Sequence, residues 1–247
     1  MRHLVLFFIF SIIVSGVFAQ DKSPAELKNE GNGFLKKAIE AKKAKNAEEA
    51  KKNYNSAFKL FEQYLGVAET DDAPVVYNAA VCAYQSADYD NAVKYFNQAI
   101  TMKYKKAAAA YLYVAKSYKK KKDLENYEKT LIAGIAAFQQ GKSSDKMKKM
   151  LGTYYAKQGL TVYNEGNKLK VNSINLGNSN DQADKDKAPA EKEKAVKKLT
   201  EAMTILEKSY NNYPKEKNVI KALADIYTFL EMADKAKAMN EALETPK

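Results

Sequence analysis

Sliding residues 76–99 forward by 35 positions superposes Val76 on Tyr111, Ala80 on Ala115, Asp88 on Asp123, Phe96 on Leu131 and Ala99 on Gly134. A fixed period of this length marks a chain built from stacked supersecondary units, none of which can bury its apolar face alone. Within each window the apolar residues recur at three and four, which predicts two amphipathic helices joined by a turn. Asp88 and Asp123 fall where each would cap the free N–H groups of the second helix. Ala80, Ala92 and Ala99 are small enough to let neighbouring helices approach closely, and Phe96 is large enough to fill the wider gap between them. Ala92 and Phe96, inside the aromatic stretch AYQSADYDNAVKYF, are therefore expected in the core.

These residues resemble the tetratricopeptide repeat, whose first helix carries Trp-x2-Leu-Gly-x2-Tyr and whose second carries Ala-x3-Phe followed by Pro. Tyr111, Val114, Ala115 and Tyr118 fall on the first-helix pattern, with Leu131 and Gly134 on the second. Leu151-Gly152-x2-Tyr155 reads almost as the motif, and Ala202, Leu206, Ser209 and Pro214 complete that unit after a long interval. Leu27, Gly31, Phe34, Ala57 and Phe61 form an earlier unit; Ile220, Leu223, Ala224, Tyr227 and Ala236 form a last one. The resemblance implies an all-α, right-handed superhelical α-solenoid with units at about 24–68, 73–105, 108–141, 146–214 and 217–245. Ser23-Pro24-Ala25-Glu26 reads as a capping box with Pro at the first helical position, so the solenoid is expected to begin there.

Ahead of it, residues 1–19 place Arg2 and His3 before an apolar run and end on Val17-Phe18-Ala19, the pattern of a cleaved signal peptide. The expectation is export to the periplasm or envelope of a Gram-negative bacterium, with no transmembrane span after cleavage. Arg2 and His3 are the only arginine and histidine in a chain of formal net charge +11. Without them no imidazole remains for general-base, triad or zinc chemistry, and no guanidinium for bidentate base reading. Neither an enzyme nor a sequence-specific nucleic-acid binder is expected, and no cofactor or small-molecule substrate. The single cysteine, Cys82, lies between Val81 and Ala83 and reads as a buried filler.

Two stretches depart from a plain array. The lysine- and alanine-rich AIEAKKAKNAEEAKK extends the first unit's helices into a hairpin, and residues 175–194, polar and holding Pro189, read as a mobile loop inside the fourth unit. Asp181, Asp184 and Asp186 in that loop lack the central glycine and closing glutamate of a calcium site.

In such a solenoid the first helix of each unit lines the concave wall. The wall residues expected to face away from the core are Lys28, Asn32, Tyr77, Asn78, Gln85, Tyr113, Lys116, Lys120, Lys149 and Lys157. Ammonium groups interleaved with tyrosine and amide side chains suit an extended acidic peptide or protein segment. The resemblance also places Lys28, Asn32 and Asn78 on three of the five positions of a chaperone-tail clamp, but Ala109 and Tyr113 stand where its other two basic residues belong. The expected role is thus a non-enzymatic scaffold. The alternatives are a structural part of an envelope assembly and a charge-driven binder of anionic polymer.

Overall fold

A computed structural model describes residues 22–70 and 72–244, and the expected signal segment lies outside them. Eleven helices and no strand occur among the described residues. They pair in chain order: α1 (Pro24–Lys43) with α2 (Ala47–Val67), α3 (Ala73–Gln85) with α4 (Tyr89–Thr101), and α5 (Ala107–Lys120) with α6 (Leu124–Ala137). A long pair follows, α7 (Lys142–Gly177) with α9 (Ala188–Asn212), bridged by the short α8 (Gln182–Lys185). The last pair is α10 (Lys217–Phe229) with α11 (Ala233–Glu244). Each pair also packs on the next, so the chain is a helical-repeat solenoid. No helix among the described residues is long and apolar enough to cross a membrane.

The turn inside a unit is the same device used repeatedly. Lys45, Ala87, Lys122 and Glu231 adopt φ of 62°, 70°, 61° and 58°. The amide of the residue after each one closes back five residues onto the preceding helix, as Asp88 N to Ala83 O at 2.9 Å and Asp123 N to Tyr118 O at 3.0 Å. That next residue then caps the following helix: Asn46, Asp88 and Asp123 accept from the amides of Glu49, Asn91 and Asn126 at 3.2, 3.2 and 3.1 Å. The capping box at the start of α1 is present too, with Ser23 and Glu26 bonded reciprocally. The 38–52 stretch forms the expected extended hairpin, the end of α1 turning through residues 44–46 into α2.

The core runs along the stack as three clusters, one across α1 to α5, one across α5 to α7 and one across α7 and α9 to α11. Ala80, Ala92, Phe96 and Ala99 are fully buried, as the repeat pattern requires. Cys82 is buried with them, and burial pushes its thiol up to about 12, which leaves it unreactive.

The fourth unit corrects the sequence reading. Residues 175–194 are mostly helical rather than one loop: α7 runs to Gly177, α8 occupies 182–185 and α9 begins at Ala188. Asp181 caps α8 through the Ala183 amide at 2.9 Å, Pro189 sits in the first turn of α9 where it is tolerated, and Glu191 is held by Lys194 and Asn172. Local polar bonds thus support α8 and the first turns of α9, ahead of the apolar stripe that α9 carries from Ala195 onward.

What holds the long pair together is a seven-residue period on both helices. Gly152, Gly159 and Gly166 of α7 face Tyr213, Leu206 and Leu199 at the end of and along α9. A methyl group on Gly152 would lie 2.6 Å from Tyr213 Cβ and 3.1 Å from the Ser209 carbonyl oxygen; on Gly159 it would meet Leu206 Cδ2 at 2.7 Å. Each missing side chain is a hole that receives a knob from the partner helix. Inside the seam the buried Ser209 hydroxyl donates to Gly152 O at 2.8 Å.

Gly152→Ala is expected to lower the melting temperature, because overpacking against backbone costs about 1–3 kcal/mol and outweighs the roughly 1 kcal/mol gained in helix propensity. Gly33→Ala, on an exposed stretch of α1 with nothing within 4 Å of the added methyl, should instead stabilise by about 0.5–1 kcal/mol. Thermal or urea melts of the two variants beside the parent chain read both signs.

Candidate functional site

Among the first helices of the units, α5 touches both α3 and α7, and α7 touches α10. Between α5 and α7 lies a cleft of about 230 Å³. Four lysines line it, Lys116 and Lys119 from α5 and Lys146 and Lys149 from α7, over Leu112, Met150 and Thr153. No carboxylate is among its lining residues.

The geometry follows from helix periodicity. Each helix contributes two lysines three residues apart, which stand one above the other on one face. Leu112 is buried and Met150 half-buried, so the ammonium groups rise from an apolar floor. Burial lowers the Lys116 ammonium below its ordinary value and the nearby charge of Lys146 lowers it further. Tyrosine rings supply what local relief there is: Lys116 stands 5.2 Å over Tyr113, Lys119 5.6 Å over Tyr127 and Lys149 5.3 Å over Tyr213.

Some lysines elsewhere are neutralised. Lys170 donates to both oxygens of Asp225 at 2.7 Å, Lys28 to Asp72 at 2.6 Å and Lys235 to Glu207 at 3.0 Å. None of the four cleft lysines takes part in an ion pair among the described residues. The cleft is a local concentration of uncompensated positive charge, with the means to hold an anion and no acid–base pair to transform one.

The structure brings only Lys116 and Lys149 of the expected wall residues into this cleft, with Tyr113 beside it. Tyr113 is half-buried, stacked on Phe96 at 5.1 Å and set edge-on to Tyr84 at 5.0 Å. Tyr77 is a correction: it is a core residue, 6% exposed, packed on Phe96 and Tyr104, because its ring fills the space beside the small residues of α3. Lys28 remains half-exposed but is committed to the Asp72 carboxylate, which also accepts from Tyr64 and caps α3 through Val75. Burial raises the Asp72 carboxyl, but these bonds outweigh it and hold the group below its usual value. Gln85 is similarly taken, accepting from Lys42 at 2.9 Å. Asn32, Lys120 and Lys157 are exposed and Asn78 half-buried, all outside the cleft.

Lys119 and Lys146 are the cleft residues that the wall reading omits. Their signal is the matched spacing: a lysine three after Lys116 on one helix and three before Lys149 on the next. Among the described residues no group of three metal-ligating side chains occurs.

No family model matches this chain, and no curated protein is significantly similar to it. Solved structures are. A tetratricopeptide-repeat protein, BF2334, from Bacteroides fragilis is 25% identical with a TM-score of 0.53, over 85% of this chain and 99% of that one. Looser matches include the MamA protein (10% identity, TM-score 0.45, 86% and 89% covered). Another is the TPR2AB domain of yeast Sti1 in complex with pHSP90 (15%, 0.34, 87% and 90%).

A carbon-13 NMR titration of the lysine Cε resonances should place Lys116 below Lys28, whose bond to Asp72 raises it. Lys146→Gln should move Lys116 only part of the way back, since burial is the larger cause.

Proposed function

We propose that this tetratricopeptide-repeat chain is a non-enzymatic scaffold that holds an acidic segment of a partner protein against its concave face. The observation that carries the reading is the α5/α7 cleft, where four lysines converge without a carboxylate. A scaffold fold supplies a long inner wall, and uncompensated charge on one stretch of it selects for the opposite charge and steers its approach. The tyrosines under the ammonium groups add flat apolar surface at small entropic cost.

Crosslinking in the native cell, followed by charge reversal, tests it. Lys116→Glu, Lys119→Glu and Lys149→Glu together should abolish the specific adduct seen with the parent chain while leaving helical content unchanged. The same reversal at Lys59, Lys94 and Lys197, exposed on second helices, should leave the adduct in place. Equal loss from both sets would point to diffuse attraction of anionic polymer instead.

The signal-like residues 1–19 support a working place outside the cytoplasm, in the periplasm or envelope of a Gram-negative cell. N-terminal sequencing of the protein recovered from its producing cell should begin at Gln20; a chain that retains Met1 would refute export by cleavage.

A further inference from the structure

At the far end of the fourth unit we infer a second binding site, for a single-chain amphipathic anion of the fatty-acid class. Its alkyl chain lies in a cleft where α7, α8, α9 and α10 meet, and its carboxylate is held by Lys185 and Lys192. The site shares no residue with the α5/α7 cleft and stands or falls apart from it.

The cleft exists because the long pair outruns an ordinary unit. The last turn of α7 supplies Ile174 and Gly177, the first turn of α9 supplies Ala188 and Pro189, and Phe229 closes one side from the end of α10. The space is about 500 Å³, within the roughly 300–1,000 Å³ usual for small-molecule pockets. Its apolar surface is only partly covered by the fold: Ile174 is 51% exposed and Val171, one turn earlier on the same face of α7, is 47% exposed. An apolar track therefore leads out of the cleft along the helix. The space beside Gly177 is open, since a methyl group there would meet nothing nearer than Ala188 Cβ at 3.8 Å.

Charge specifies the head of the ligand. Lys185 of α8 and Lys192 of α9 complete the lining, and no carboxylate is among the lining residues. Neither lysine takes part in an ion pair among the described residues, although the segment around them is rich in acid. Those acids are committed elsewhere: Asp181 caps α8, Asp184 accepts from Ser179 and Lys187, Asp186 from Gln182, and Glu191 from Asn172 and Lys194. Two uncompensated ammonium groups beside apolar surface are complementary to an anion carried on an apolar body.

The remaining lining specifies that body. Ser173 is the one other polar side chain there, and its hydroxyl already donates to Lys170 O at 2.8 Å. The lining side chains thus offer almost nothing to the N–H and C=O groups of a peptide backbone or to the hydroxyls of a sugar, and burying such groups unpaired is costly. An alkyl chain carries none of them and gains with every methylene it withdraws from water.

Isothermal titration calorimetry of the purified chain with decanoate, below the concentration at which decanoate aggregates, tests the site. Decanoate should give saturable heat and bind at least tenfold more tightly than butanoate, which keeps the carboxylate but not the chain. It should exceed decyltrimethylammonium, which keeps the chain but reverses the charge, by a similar factor. Lys185→Gln with Lys192→Gln should weaken decanoate at least tenfold, while Lys59→Gln with Lys94→Gln, exposed on α2 and α4, leaves it unchanged. Gly177→Phe, which fills the cleft and removes no charge, should also weaken it at least tenfold. Circular dichroism checks helical content, and because the two cleft variants act by different means, either one that keeps its helices decides the matter.

No saturable heat with decanoate, an affinity matched by butanoate or by decyltrimethylammonium, parent-like affinity in a helical cleft variant, or equal loss in the control pair would each overturn the site. Sedimentation with phosphatidylglycerol vesicles separates the free acid from a lipid surface. Vesicle binding that the cleft substitutions remove, with no heat from decanoate, would overturn the site in favour of membrane contact.

Discussion

The chain can depart from a plain repeat array because three glycines on α7 are spaced by seven. Gly152, Gly159 and Gly166 let α9 come close enough for Leu206 and Leu199 to bury completely. Close approach brings dispersion contacts along the seam and makes room for the Ser209 to Gly152 hydrogen bond among its buried side chains. With that seam in place the pair can run beyond the length of an ordinary unit and still have one register. The lysines at its near end inherit this order: Lys146 and Lys149 lie on the first turns of the same helix, positioned against α5 by a scaffold that packs tightly farther along.

The repeat itself was readable in the amino acids because its signals are local. A capping Asp or Asn before the second helices α2, α4 and α6, alanines where helices cross and Phe96 or Leu131 between them determine a helix-turn-helix whatever the neighbours do. The extension of the fourth unit was not, since residues 175–194 are polar and carry Pro189 and Gly177, ordinary marks of a loop. Their helices depend on ion pairs and caps made between residues that a composition reading treats as solvated. The glycine heptad was present in the letters but falls between two familiar patterns, since the glycine of the first-helix motif accounts for Gly152 alone.

The site was half-legible for a related reason. Counting lysines on first helices finds Lys116 and Lys149, but it cannot tell a lysine with a partner from one without. Lys28 and Lys116 both lie on first helices, yet Asp72 raises the first, and burial together with the charge of Lys146 lowers the second. Tyr77 fails for the opposite cause: a tyrosine next to a polar Asn78 reads as surface, and only the packing of Phe96 and Tyr104 against its ring shows that it is core.

The long pair also changes how the solenoid would respond to load. At 1.5 Å per residue the 36 residues of α7 span about 54 Å, and α10 is fastened to it by Asp225, which accepts from both Lys170 and Tyr163. Stacked repeats ordinarily flex like a spring, each joint yielding a little. Here the second and third units keep short helices of 13 or 14 residues and separate joints, while the fourth acts as a strut to which the fifth is strapped. Tension along the chain would therefore be taken up at the joints of the second and third units, and the α5/α7 cleft stands at the junction between that compliant part and the rigid one.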